Sequence, residues 1–308
     1  MTPYEQLLDA APRAGAWFHS IEVAPGVWTN GLKSRAVMEH ELSVWDFPAD
    51  LTGKTVLDIG CADGGWSIAA LRRGARSVLA IDEQMTSGIR LITASGLFPG
   101  LEYRQVDLFS DAFMALPKFD FVIFTGVLYH VHDMLETLKR VRARTDGQVL
   151  LETHVNESAG SSPPLAIYYE TNELNDDRTN WWGPNISCLE AMLRTCGFAY
   201  DRSYLVWGGE EHENGRIAYQ LQAVAGAIAG DVVSSATGSN PHLEWASGHI
   251  EKLSAENADL RLQVADAHTQ IVITRQQVAD IRGSTSWRVT APLRALAGLL
   301  GKRAQGAS

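Results

Sequence analysis

Between Thr55 and Gln84 the chain reads TVLDIGCADGGWSIAALRRGARSVLAIDEQ, and this stretch limits the possible fold more than any other. Thr55 to Ile59 is a short apolar run of β-formers that Gly60 breaks, and an amphipathic segment from Trp66 to Arg73 follows. A second strand-like run, Ser77 to Ile81, ends on Asp82. Strand, glycine turn, helix and strand form one β-α-β unit, with an acid at the carboxyl end of its second strand. Such a turn lets backbone N–H groups and a helix N-terminus approach a ligand, and the acid can accept both hydroxyls of a ribose. The unit reads as a nucleoside-cofactor site carried by Asp58, Gly60, Ala62, Gly64, Asp82 and Gln84.

The turn itself narrows the choice of nucleoside. A dinucleotide fingerprint is G-x-G-x-x-G, whereas this turn is Gly60-Cys61-Ala62-Asp63-Gly64-Gly65 with Asp58 on the strand before it. Two acids there would repel a pyrophosphate; a sulfonium amino acid with an ammonium group suits them. The pattern resembles the first motif of class I S-adenosylmethionine-dependent methyltransferases. That resemblance implies a Rossmann-like α/β fold and S-adenosylmethionine as cofactor.

The 308 residues are enough for one large α/β domain and an appendage. Cys61, Cys188 and Cys196 include no C-x-x-C pair, so neither a disulfide framework nor a zinc site is expected. No basic-then-apolar leader follows Met1 and no apolar run reaches membrane-spanning length, which predicts a cytoplasmic protein. Residues 1–230 hold 18 Lys and Arg against 29 Asp and Glu, a net of −11. An acidic region of this kind is a poor match for the phosphate contacts that dominate nucleic-acid affinity.

Residues 1–34 are aromatic and turn-rich, with WFHSI at Trp17 to Ile21 and turns at Pro25-Gly26 and Asn30-Gly31. They are expected to form a hairpin over one edge of the core, serving as packing or as a lid on the cofactor. From Arg35 the catalytic domain is expected to run to residue 230. A helix from Arg35 to Phe47 stops at Pro48, and further strands are expected at Leu101–Gln105, Phe119–Thr125, Gly147–Val155, Phe198–Leu205 and Arg216–Val224. Helical patterns occupy Val131 to Arg144 and Ile186 to Cys196, the latter closed by Gly197. Seven strands, the last two joined as a hairpin, fit a doubly wound, mostly parallel sheet with one reversed strand. Ligands of such sheets sit beyond the carboxyl ends of the strands. Asp58 and Gly60, Asp82, Asp107, and Gly126 to His130 all fall at such ends.

A narrower resemblance rests on Trp28 with Lys33, TGVLYH at Thr125 to His130, LETHV at Leu151 to Val155, and NWW-P-N with MLRTCGF between Asn180 and Phe198. These segments look like the bacterial tRNA wobble-uridine carboxymethyltransferases and the small-molecule and glycan methyltransferases related to them. The resemblance implies that Trp28, Lys33 and Tyr129 face the cofactor or the transferred group, beside Gly60, Asp82 and Asp107. The tRNA enzymes also carry a basic residue that holds the carboxylate of carboxy-S-adenosylmethionine. Its place here falls near Ala14, with Arg13 beside it, and no long basic domain precedes the aromatic segment. Plain S-adenosylmethionine is therefore expected.

Residues 231–241 turn to Ser, Gly, Ala and Thr and read as a linker. Across 242–282 a heptad run places Leu243, Ile250, Asn257, Val264, Ile271 and Val278 at one core position, with Ala246, Leu253, Leu260 and Ile281 among those at the other. β-Branched residues, leucines and a single core Asn in this arrangement favour a parallel two-stranded coil, hence a homodimer. The tail, 283–308, carries Trp287, Leu293 and only basic charges, which suits a weak interfacial helix on the inner face of an anionic membrane. Its S-T-S-W-R-x-T-x-P-L-R run resembles tails of bacterial polysaccharide-biosynthesis proteins, glycosyltransferases among them. That resemblance implies a glycosyltransferase as a possible partner.

Methyl transfer to a hydroxyl needs close in-line approach and a base. His130, beside Tyr129, is the base nearest the cofactor motif, with His132, Glu152 and His154 as further candidates. His130-x-His132-Asp133 opens a helix, where adjacent side chains diverge, so no metal is expected. The leading reading is O-methylation of a saccharide or lipid-linked glycan. A tRNA wobble-uridine enzyme is the alternative, and a scaffold acting through its coil on glycan length is a third.

Overall fold

The computed structural model describes residues 1–13, 17–209 and 212–224. The expected linker (231–241), coiled coil (242–282) and tail (283–308) lie outside those residues.

One seven-stranded sheet organises the described chain. Its strands are β1 (Thr55–Ile59), β2 (Ser77–Asp82), β3 (Leu101–Gln105), β4 (Phe119–Thr125), β5 (Thr145–Asn156), β6 (Phe198–Gly209) and β7 (His212–Ala223). Across the sheet they run β6-β7-β5-β4-β1-β2-β3. All neighbours are parallel except β7, which is antiparallel to both β6 and β5. The doubly wound sheet with one reversed strand expected from the sequence is the fold observed. The order reverses direction between β1 and β4, and in open α/β sheets such a switch point opens a crevice at the strand ends.

The central strands read as near-continuous apolar runs because both of their faces are covered. Leu57, Ile59, Val122 and Phe124 point to one core with Leu138, Leu189 and Leu193. Val56, Phe121, Ile123 and Leu150 point to the other, with Trp45 and Trp66. The first core is closed by α6 (Met134–Ala143) and α7 (Ile186–Thr195), the second by α2 (Arg35–Val44) and α3 (Gly65–Leu71). α4 (Ser87–Ser95) and the short α5 (Asp111–Met114) join the first strands.

Side-chain caps set the helix starts: Ser34, Thr86, Asp133 and Asn185 accept the N–H of Val37, Ile89, Glu136 and Cys188. Such caps contribute about 1 kcal/mol each.

The N-terminal residues do more than form a hairpin. α1 (Pro3–Ala10), unforeseen from the sequence, starts with a Thr2/Glu5 capping box. Trp17–His19 pairs parallel with Gly31–Lys33, and Glu22–Ala24 pairs antiparallel with Val27–Trp28. Leu7, Trp17, Ile21 and Val23 pack on Ile68 of α3 and Ile92 of α4. The cover therefore lies on two helices, with Leu101 of the edge strand β3 also packed against it. No helix among the described residues is long and apolar enough to cross a membrane.

Candidate functional site

The turn after β1 runs through three left-handed residues, Gly60 (φ 72°), Ala62 (φ 49°) and Gly64 (φ 81°). Gly60 is a position no side chain could share: a Cβ there would lie 2.4 Å from Cγ2 of Val127, in the loop after β4. Ala62 carries a Cβ in a region that alanine seldom adopts. Its N–H donates to Oδ2 of Asp82 at 3.0 Å, while Oδ1 accepts the N–H of Gln84 at 3.0 Å. Asp82 thus fixes the turn and its own strand end together, and each oxygen keeps a second acceptor site. Asp107, exposed at the end of β3, accepts the N–H of Phe109 on Oδ1 at 2.8 Å.

Asp63 does not face the crevice, as the charge argument from the sequence assumed. Its Oδ2 accepts the N–H of Phe18 at 2.5 Å and that of His19 at 3.4 Å, and Oδ1 accepts the Thr86 hydroxyl at 2.8 Å. The N-terminal segment is tied to the turn through this carboxylate. His19 packs over the start of α3, where a Cβ on Gly65 would meet its ring at 2.6 Å. Burial, with help from Lys33, drives its imidazole down to about 3, so it is neutral.

After β4 the chain makes a 3-10 turn, Leu128–His130. Tyr129 is buried, and its hydroxyl accepts from Nη1 of Arg216 at 3.0 Å. Arg216 also grips Glu152: Nη2 donates to Oε2 at 2.6 Å and Nε to Oε1. The register explains the meeting. Arg216 pairs with His154 across β7 and β5, which puts it on the same face as Glu152 two residues away. Because β7 is reversed, its early residues lie at the carboxyl ends of its neighbours. Burial lowers the Arg216 affinity for its proton, but Glu152 more than reverses this, and the guanidinium stays charged.

His130 is the neighbour of Tyr129, ring centroids 4.3 Å apart. Its Nδ1 lies 2.9 Å from the carbonyl oxygen of Thr179 and 2.9 Å from the Thr179 hydroxyl. A carbonyl can only accept, so Nδ1 carries the hydrogen and Nε2 the free lone pair. Burial holds the His130 pKa below its ordinary value of 6.5. His154 is buried and lowered further, to about 4, by burial and then by Arg216; its Nε2 meets the Tyr169 hydroxyl at 3.1 Å. His132 and Asp133 go elsewhere: His132 packs at a tilt against Trp181, ring centroids 4.4 Å apart, and Asp133 caps α6.

The structure therefore gathers Gly60, Ala62, Asp82 and Gln84 at the adjoining ends of β1 and β2, and Gly126, Tyr129 and His130 after β4 beside Glu152 of β5, with Val127 bridging to Gly60. A Cβ on Gly126 would lie 3.6 Å from Nη2 of Arg216. Trp28 and Lys33 sit in the N-terminal element. Lys33 Nζ binds both oxygens of Glu41 at 2.5 and 2.7 Å and lies 5.5 Å from the Trp66 ring centroid. Trp28 carries the Arg35 guanidinium 4.7 Å above its ring. Arg13 is paired with Asp9. Arg216 and Thr179 escaped the sequence reading. An open cavity lined by Glu39, Leu42, Phe47 and Arg73 includes none of these site residues, and no chemistry is assigned to it.

Asp58 lies inside the sheet, 1% exposed, with Oδ2 accepting the Ser67 hydroxyl at 2.5 Å. Burial raises its pKa from 3.8 to about 7, against the opposing bond from Ser67. The folded value exceeds the unfolded one, so its favourable contribution is complete below pH 4 and is lost as pH climbs to 7. Over that window of about 3 pH units the loss is of order 4 kcal/mol. Asp58→Asn is expected to match the wild type near pH 4 and to melt at higher temperature above pH 7. Melting curves that fall in parallel from pH 4 to 8 would contradict this.

A family profile described as a methyltransferase domain matches residues 37–219. The tRNA U34 carboxymethyltransferase of Pseudomonas aeruginosa is 31% identical over 175 residues, covering 56% of this chain and 51% of that enzyme. The enzyme of the same name from Idiomarina loihiensis is 30% identical over 154 residues, covering 48% of this chain and 46% of that one. The chain spans about half the length of the curated relatives it matches. Among solved structures, the N-terminal domain of EvdMO1, determined in the presence of SAH and D-fucose, superposes with a TM-score of 0.53. It is 18% identical, covers 71% of this chain and 95% of that domain, and shares the fold. A family profile spanning more than half of the chain, over the sheet that carries the glycine turn, settles membership: this chain belongs to the methyltransferase-domain family.

Proposed function

We propose that the protein O-methylates a hydroxyl group of a saccharide in the making of a bacterial surface glycan. The observation that carries this reading is His130, a neutral imidazole fixed by Thr179 beside Tyr129. S-Adenosylmethionine, when bound, supplies a methyl group activated on a sulfonium. The residues present fit it: the left-handed turn presents its backbone at the strand ends, and Asp82 and Asp107 keep free acceptor sites. In this reading Asp82 takes the ribose hydroxyls, with Gln84 at its strand end, and Asp107 takes the adenine amine. Gly60, Ala62, Gly64 and Gly126 permit the close approach, and Asp58 braces the turn from within. Trp28 and Lys33 act from the N-terminal cover.

Tyr129, held by Arg216, walls the transfer site and excludes water. His130 receives the acceptor's proton on Nε2 as the new bond forms. General-base removal is typically a 10²–10⁴-fold effect. His130→Ala is therefore expected to lower kcat by roughly that factor. The acid limb of the pH profile should fall below 6.5, since burial depresses this histidine. An unchanged kcat in His130→Ala would remove the base from this scheme.

The proposal extends to residues outside the described chain: a parallel homodimer through 242–282, a glycosyltransferase partner, and contact of 283–308 with the inner face of the membrane. The deciding experiment offers labelled S-adenosylmethionine with lipid-linked glycans, nucleotide sugars and tRNA. Label in glycan supports the reading; label in tRNA alone ends it.

A second reading, carboxymethyl transfer to tRNA, is favoured by the 31% identity over 175 residues and by Arg216, a fixed cation at the Tyr129 hydroxyl able to meet a carboxylate. Calorimetry with S-adenosylmethionine and its carboxylated analogue separates the two. Tighter binding of the plain cofactor would retire the carboxymethyl reading.

A further inference from the structure

We propose that Tyr168, Trp181 and Trp182 form an acceptor platform that holds a neutral sugar ring by its apolar face beside the transfer site. The inference rests on the saccharide reading above and gives that acceptor a place to bind. Strand Ala166–Tyr168 pairs antiparallel with Trp182–Pro184, setting Tyr168 opposite Trp182. Chain alternation separates two adjacent tyrosines. Tyr169 turns inward and its hydroxyl accepts from Nδ2 of Asn156 at 2.9 Å. Tyr168 turns outward and stands 53% exposed.

The outward rings are held in fixed relation. Tyr168 lies 5.1 Å from the Trp182 ring and 6.2 Å from the Trp181 ring, the latter inclined by only 21°. Trp182 donates its indole N–H to the His132 carbonyl at 3.0 Å and packs in part against the core. Trp181 donates its backbone N–H to the Tyr129 carbonyl at 2.8 Å. The rings are thus fastened to the turn that carries Tyr129 and His130. A molecule lying on them is placed against the proposed base.

Two properties select the occupant. Aromatic faces are apolar and carry negative quadrupole charge, which suits the polarised C–H face of a pyranose. A nucleobase would also stack there, so charge decides between them. Residues 170–178 hold Glu170, Glu173, Asp176 and Asp177 against Arg178. Carboxylates accept sugar hydroxyls, and they repel the phosphates that a nucleic acid would bring with its base.

The test uses the full chain and saturation-transfer NMR with methyl pyranosides of the gluco, galacto, manno and fuco series, and with uridine. Wild type is expected to transfer saturation to the ring C–H protons of at least one pyranoside. Tyr168→Ala and Trp181→Ala should each reduce that transfer fivefold or more, Tyr168→Phe should keep it, and all should bind S-adenosylmethionine as wild type does. Should Trp181→Ala lose cofactor binding through misfolding, the exposed Tyr168 pair, Ala against Phe, decides alone. Pyranoside binding that survives both alanine variants overturns the platform and leaves the saccharide reading standing. Transfer to uridine only overturns both, and transfer to none of the probes overturns the platform.

Discussion

Asp82→Ala is expected to weaken S-adenosylmethionine binding by roughly 10²–10⁴-fold in the full chain, read by calorimetry. The size follows from what one carboxylate does twice. It accepts the N–H of Ala62 and of Gln84, holding the turn in shape, and in the proposed complex it accepts the ribose hydroxyls. Hydrogen bonds to a charged group contribute about 1.5–3 kcal/mol each, so losing two costs about 3–6 kcal/mol. Melting should fall much less than binding, because Asp82 is only half-buried and lies at a strand end. Binding within tenfold of wild type would move the cofactor away from this strand end.

The second large effect belongs to the Arg216–Glu152 pair. Glu152 is 2% exposed at its side chain and Arg216 20%. Arg216→Met removes the guanidinium and leaves a buried carboxylate without its counter-charge, a change worth about 3–5 kcal/mol. At about 2–4 °C per kcal/mol for a domain of this size, the melting temperature is expected to fall roughly 6–20 °C. The double variant Arg216→Met/Glu152→Gln should recover more than half of that loss, since no unpaired charge remains. A double variant as unstable as the sum of the two single ones would show that the pair is not coupled.

The sheet was legible because its inner strands are covered on both faces and so appear as unbroken apolar runs. Thr55–Ile59 and Phe119–Thr125 have the same ends in the sequence reading and in the structure, as does the edge strand Leu101–Gln105 despite its polar, largely exposed residues. Gly60 and Asp82 were legible for a related reason, since each punctuates such a run where a ligand can reach the backbone, and Asp107 by its place just after the edge strand. α4 was missed because Ser, Gly and Thr dilute its pattern; the signals that could have found it are Thr86 at its start and Gly96, left-handed at φ 67°, at its end. Arg216 was missed because one arginine in a strand looks like surface. Only the antiparallel register that sets it opposite His154 shows that it faces inward. Thr179 belongs to a loop with no periodicity, and nothing local marks it as the partner of His130. Asp63 was read as an obstacle to anions in the crevice, yet the fold turns it to the other side.

That last carboxylate makes two distant stretches of chain thermodynamically inseparable. Asp63 sits in the turn, and its Oδ2 is spent on the amides of Phe18 and His19 while Oδ1 holds the Thr86 hydroxyl. A ligand that orders the turn therefore also steadies Phe18 and His19, and by reciprocity whatever steadies those residues tightens the ligand by the same factor. The amide of Phe18 is consequently a reporter: its hydrogen exchange should slow when the cofactor binds, although it never needs to touch the cofactor.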